Sequence, residues 1–217
     1  MTNLNPFSQT DLDRIAEAVR TAESKTSGEI VPYFVTQSDD YSVAHWRGGV
    51  SLAAIAVLVL LAVQTTSSTW LPWGILEFSG MIVGAFLLGM LLVHLAPSLR
   101  RLMLSHAQMD RLVSQRASAA FLSEEVFKTR ERTGILIFLS FFERRVIVLG
   151  DSGINAKVHP SDWQGIVQAV VKSVKRGKPT DGLIDAIQQC GELLQRHGVE
   201  RRRDDTDELS DSLRIGS

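Results

Sequence analysis

Cysteine is nearly absent from this chain of 217 residues: Cys190 is the sole thiol. No internal disulfide and no multi-cysteine metal cluster can therefore form. A lone thiol fits a reducing compartment. Neither sign of charge dominates either, since 23 Lys+Arg stand against 24 Asp+Glu for a net charge of -1. A dedicated nucleic-acid binder would be basic overall, and no nucleic-acid partner is expected. Only 16 glycines and 6 prolines occur beside 45% hydrophobic residues, which excludes collagen-like and disordered classes. A His-Glu-x-x-His pair, a phosphate-binding P-loop and a Gly-x-Ser-x-Gly elbow are all missing.

The most informative lack is local. After Arg47 no Asp, Glu, Lys or Arg appears until Glu77, and none appears from Phe78 to Leu99. A spanning helix needs ~20 mostly apolar residues. Residues 47–66 and 78–97 each meet that length, and together 47–97 read as a transmembrane hairpin. A core helix of a soluble protein seldom lacks charge on every face for five turns. The short connection carries Trp70 and Trp73, and Trp46 lies at the other end of the first span. Tryptophan favours the membrane–water interface. The connection has no Lys or Arg, whereas Arg47, Arg100, Arg101 and Arg111 flank the hairpin. The positive-inside rule then places both termini in the cytoplasm of a multi-pass inner-membrane protein. The first apolar run begins near residue 48, so no cleavable signal peptide is expected. Gly80-x-x-x-Gly84 would let two helices approach closely.

The remaining residues read as one split α+β domain, 1–46 plus 98–197, followed by a polar tail, 198–217, expected to be disordered. Ser8-x-x-Asp11 opens a helix that Gly28 follows. Residues 29–36 are rich in β-branched and aromatic types, and Pro32 marks that strand as an edge or a late start. A long amphipathic helix is expected over 99–130. Residues 135–140 form a continuous apolar run, and 145–150 return antiparallel after the turn Phe141-Phe142-Glu143-Arg144. Ser161 with Gln164 reads as a capping box for a helix to about Arg176, and Thr180 as the cap of a last helix with Asp181 in its first turn. The expected fold is thus a small mixed β-sheet packed with helices, interrupted by a two-helix transmembrane hairpin.

Three blocks of this order resemble the TPM domain family: Phe7 to Val35 with Gly28-Glu29-Ile30-Val31-Pro32, then Thr133-Gly134-Ile135-Leu136-Ile137 with Arg144-Arg145-Val146-Ile147-Val148, then Trp163 to Leu194 with Gly177-Lys178-Pro179-Thr180-Asp181. The resemblance implies a membrane-associated α+β domain. It implies an accessory factor of a membrane protein complex, or alternatively a membrane-anchored phosphatase acting on phosphomonoesters. Arg132-Thr133 stands where members often carry an acid or Asn.

No nucleophile–base pair is apparent in the sequence, so a non-enzymatic interaction module is preferred. Gly150-Asp151-Ser152-Gly153 matches a trypsin-like signature, but that chemistry needs an all-β double barrel. Turn chemistry is expected there instead. His159, before Pro160, reads as an exposed loop residue; His45 and His94 lie by the spans, and Cys190 reads as core. If the domain holds an ion, the expected ligands are the metal candidates Asp39, Asp40 and Asp151. Carboxylates at the ends of two strands would suit a hard divalent cation such as Ca²⁺ or Mg²⁺. That site requires the first and third strands to run alike. Residues 98–197 hold 15 Lys+Arg and 10 Asp+Glu, and Lys172, Lys175, Arg176 and Lys178 would suit anionic headgroups of the lipid bilayer.

Overall fold

The first helix, α1 (Gln9–Glu23), opens with the capping box read from the sequence. Ser8 Oγ accepts from the Asp11 N–H at 3.2 Å, and the Ser8 N–H donates to Asp11 Oδ2 at 3.0 Å. The Ser8 hydroxyl donates to the same carboxylate at 2.7 Å. These Ser8 hydrogen bonds hold the Asp11 carboxyl below its ordinary 3.8. The computed structural model describes residues 6–66, 74–159, 161–199, 201 and 208–216. Trp70, Trp73, Pro160 and tail residues 202–207 lie outside the described residues.

The chain divides into two compact units, one of Met1–Ser38 with Asp110–Ser217 and one of Asp39–Met109. The first unit is built on a four-stranded mixed sheet of order β3-β2-β1-β4. β1 (Glu29–Val35) pairs in parallel with β2 (Gly134–Ser140), from Glu29 opposite Gly134 to Val35 opposite Ser140. β3 (Arg145–Gly150) returns antiparallel to β2, as the short turn requires. Arg144 closes that turn with φ 53°.

Alternation along the parallel strands divides the core. Ile30, Phe34, Ile135, Ile137 and Leu139 pack with α1 and with two later helices, α7 (Trp163–Lys175) and α8 (Pro179–Arg196). On the other face Val31, Tyr33, Val35, Leu136 and Phe138 pack with Val113, Ala117 and Ala120 of α5 (His106–Ser123). Both strands are buried along their whole length, which explains the unbroken apolar run at 135–139. Cys190 is fully buried in the first cluster, and burial pushes its thiol up to about 12.

Several elements differ from expectation. The helix expected over 99–130 is two helices, α4 (Pro97–Leu102) and α5, because Ser105 Oγ accepts from Gln108 N at 3.1 Å and starts a new one. It also ends earlier, before Glu125 at φ 53°. Ser161 does not cap α7 with its side chain; residue 162 is its N-cap and Asp162 accepts from His159 N at 3.0 Å. Thr180 lies inside α8, which starts at Pro179, and its side chain reaches Asp11 instead. Asp151 caps a one-turn helix, α6 (Ser152–Asn155), where a turn was expected.

Part of the tail expected to be disordered is ordered. β4 (Arg214–Gly216) adds in parallel to β1 over Tyr33–Val35. Glu29, 5% exposed, accepts from the backbone N–H of Glu208 and Leu209 at 3.3 and 3.2 Å. Arg20 holds Asp211 at 2.8 Å, Arg214 meets Glu124 at 3.2 Å, and Leu213 enters the core. The polar composition of 208–216 hid this docking, because it is satisfied by partners far away in sequence. β1 is therefore neither the edge strand nor the late start that Pro32 suggested: it begins at Glu29 and lies between β2 and β4, and Pro32 is accommodated because β4 pairs only with Tyr33–Val35.

The second unit contains α2 (Ser42–Thr66), α3 (Ile75–Leu95) and α4. α2 and α3 are long and apolar enough to cross a membrane, and only 11% and 6% of their most apolar windows is buried. They are not the core of a soluble hairpin, since Leu58, Leu61, Leu87 and Leu91 are all exposed. The expected close approach at Gly80 and Gly84 is not used, as a Cβ at either would meet nothing within 4 Å. The contact lies at the other end of α3. A Cβ on Gly89 would stand 2.5 Å from the Gly48 carbonyl oxygen and 3.0 Å from Gly49 Cα.

Candidate functional site

Parallel pairing of β1 with β2 brings the ends of both strands to one place. Phe141 N donates to Val35 O at 3.0 Å and Phe142 N to Thr36 O at 2.9 Å, extending the ladder past the last paired residues. Ser38, Ser140 and Glu143 meet there. Glu143 Oε1 accepts from the Ser38 N–H at 2.8 Å, and the Ser140 hydroxyl donates to Glu143 Oε2. Ser38 Oγ and Ser140 Oγ stand 2.9 Å apart. Ser140 is 0% exposed and Glu143 3%. The hairpin turn folds the carboxylate inward because Arg144 takes the left-handed conformation immediately after it.

This cluster escaped the sequence reading, which took Glu143 as a charged turn residue. The usable signal was an acid directly after a run buried on both faces. The parallel register that supplies Ser38 is not written in local pattern.

The three acidic candidates are placed differently from the arrangement that suggested them. β3 runs against β1, so the condition that the first and third strands run alike is not met. Asp151 follows Gly150, which pairs opposite Ile135 near the start of β2 and therefore near the start of β1. There Asp151 Oδ1 accepts from Ser152 N at 2.6 Å, and Oδ2 faces Arg132 at 3.7 Å. Asp39 and Asp40 follow the opposite end of β1, and Asp39 Oδ1 accepts from Tyr41 N at 2.8 Å. Among the described residues no group of three or more His, Cys, Asp or Glu is placed to hold a metal ion.

The other singled-out residues have structural surroundings. Gly153 packs against the backbone carbonyls of Glu131 and Arg132, so the Gly-Asp-Ser-Gly run forms a strand end and a one-turn helix. His159 is exposed. His45 and His94 face each other in the second unit with ring centroids 5.6 Å apart.

The comparisons agree with this architecture. The family model described as the TPM domain matches residues 91–193. That match includes Thr133–Val148 and most of the block beginning at Trp163, and it stops short of the block at 7–35, which the sheet nevertheless places beside β2. The solved structures include the BA42 protein from the psychrophilic bacterium Bizionia argentinensis, determined by NMR, which is similar with a TM-score of 0.59 and 20% identity over 100% of both chains. At that identity the likeness speaks for the fold. No curated protein matches this chain. A TPM domain is therefore present in this chain, matched over residues 91–193, and in the structure β1 and α1 of the N-terminal segment pack with its strand β2.

Proposed function

We propose that this chain is a membrane-anchored accessory module whose TPM domain acts through contacts with a membrane protein complex rather than by turnover. The observation that carries the reading is the closure of its carboxylate–hydroxyl cluster. A nucleophile and base must reach a substrate, and Ser140 at 0% and Glu143 at 3% exposure are shut away from solvent, with Glu143 engaged by Ser38 and Ser140. The anchor is the α2–α3 hairpin. Its exposed leucines and valines would form an apolar patch far larger than a soluble surface carries, and a bilayer covers such a surface. Arg47, Arg100 and Arg101 flank the hairpin while its connection lacks Lys and Arg, which favours both termini on the cytoplasmic side of an inner membrane.

Inverted membrane vesicles carrying the full chain test both parts. Protease added outside should digest the domain, because the cytoplasmic face is then outermost. Hydrolysis of a generic phosphomonoester should stay at the level of vesicles lacking the chain, with or without Mg²⁺ or Ca²⁺. A protected domain would reverse the orientation. Hydrolysis that follows the chain would establish the alternative, a membrane-anchored phosphatase.

A further inference from the structure

We propose that the exposed face of α7 binds the headgroups of anionic lipids. The proposal rests on the membrane-anchored reading above and names a second contact of the domain with the bilayer.

The segment 163–180 contains Lys172, Lys175, Arg176 and Lys178 and no Asp or Glu. All four basic residues are exposed. Among the described residues none of the four is in an ion pair, whereas Arg14, Arg20, Lys128, Arg132, Arg145 and Arg214 each face an acid. Lys25, Arg111, Arg144, Lys157 and Arg196 have no ion pair among the described residues either; what distinguishes the end of α7 and the turn after it is that four such charges fall within residues 172–178 with no acid among them.

The face is also amphipathic in the sense a headgroup layer requires. Val167, Gln168, Val171, Lys172, Lys175 and Arg176 line one shallow groove. Val167 and Val171 lie one helical turn apart and are half-buried, and Gln168, Lys172 and Lys175 follow the same stripe. Long basic side chains lay their methylene stems on such apolar surface and present the charge at its rim. Trp163, Ile166, Val170 and Val174 are committed to the core and Val167 and Val171 pack at its edge, so the exposed part of the stripe is Gln168, Lys172, Lys175 and Arg176 over the rims of those two valines.

Connectivity selects the lipid as occupant. β1 ends at Val35 and the apolar helix α2 begins at Ser42. Six linking residues reach at most ~20 Å. The domain that carries the groove is thus tethered to the anchor, which gives its basic residues a high effective concentration toward the bilayer phosphates. Basic residues near an anionic leaflet are attracted within a Debye length.

The test uses the full chain with Gln168→Cys in lipid nanodiscs. The native thiol does not compete, because Cys190 is fully buried with its pKa pushed up to about 12. Reaction of the new thiol with a bulky maleimide should be about threefold or more slower in discs containing about 30% phosphatidylglycerol than in pure phosphatidylcholine, and the difference should collapse near 0.5 M salt. It should vanish when Lys172→Gln, Lys175→Gln, Arg176→Gln and Lys178→Gln are combined, with thermal unfolding of that variant unchanged. Equal rates in both lipids, with the chain still disc-bound, would overturn the proposal alone. Slowing by inorganic phosphate in pure phosphatidylcholine would overturn it in favour of a free-anion site. Failure of the chain to stay in discs would overturn the anchor and this inference with it.

Discussion

Glu143 is an acid that the fold has taken almost wholly out of water. Such a group is tolerated only when donors surround it, and here the Ser38 N–H and the Ser140 hydroxyl do so. Removing the acceptor leaves those donors buried and unmatched, at ~1–3 kcal/mol for a buried group. Glu143→Ala should therefore lower unfolding stability by roughly 2–4 kcal/mol, whereas Glu143→Gln, whose one carbonyl can still accept from the Ser38 N–H while its NH2 donates to the Ser140 hydroxyl oxygen, should cost about half as much or less. Chemical denaturation followed by tryptophan fluorescence reads both. Equal losses would mean that the charge itself, rather than acceptance from the Ser38 N–H, holds the turn. Ser140 looks in sequence like the ordinary end of an apolar strand, and its role depends on a neighbour, Ser38, supplied by pairing across the hairpin insertion. Asp11 is the opposite case. Its partner lies three residues away, so its capping role was legible at once.

Elements whose determinants are local were legible in the same way. The apolar period of α1, the antiparallel return of β3 and the stop of α7 by Gly177 at φ 76° all follow from nearby residues. The break between α4 and α5 was legible too, since Ser105-x-x-Gln108 has the spacing of a capping box, but it was submerged in a strong amphipathic pattern. Helix contact in the hairpin was not legible, because glycine spacing cannot say which glycines face the partner. In the structure Gly89 meets Gly48 and Gly49, while Gly84 meets nothing within 4 Å. Gly89→Leu should therefore cost about 1–3 kcal/mol by forcing the helices apart, and Gly84→Leu should be nearly neutral. Thermal denaturation of the two variants in one detergent separates them. A larger loss from Gly84→Leu would place the interface on the other face of α3.

At the scale of the whole molecule the long-range assembly of the sheet is the determining fact. β1 and β2 are joined in register over seven residue pairs, from Glu29–Gly134 to Val35–Ser140, although the hairpin lies between them in the chain. The sequence suggested that these strands could meet but not that they are parallel, nor that residues 214–216 add to the far side of β1. Parallel pairing depends on crossovers whose length carries no pattern of its own. The sheet has a consequence for how the unit folds. Ile135, Ile137 and Leu139 share one core cluster with Ile30 and Phe34, and Leu136 and Phe138 share the other with Val31 and Tyr33. Without β1, both faces of β2 lose neighbours and β4 loses the strand it pairs with. A chain in which residues 39–109 are replaced by a flexible Gly/Ser linker of about a dozen residues, long enough to cover roughly 20 Å, should be soluble and unfold cooperatively. Residues 110–217 alone should show neither cooperative unfolding nor protected amides at 134–140 in hydrogen exchange. If the shorter piece folded as well as the linked one, the N-terminal segment would be an addition to the domain and not part of its core.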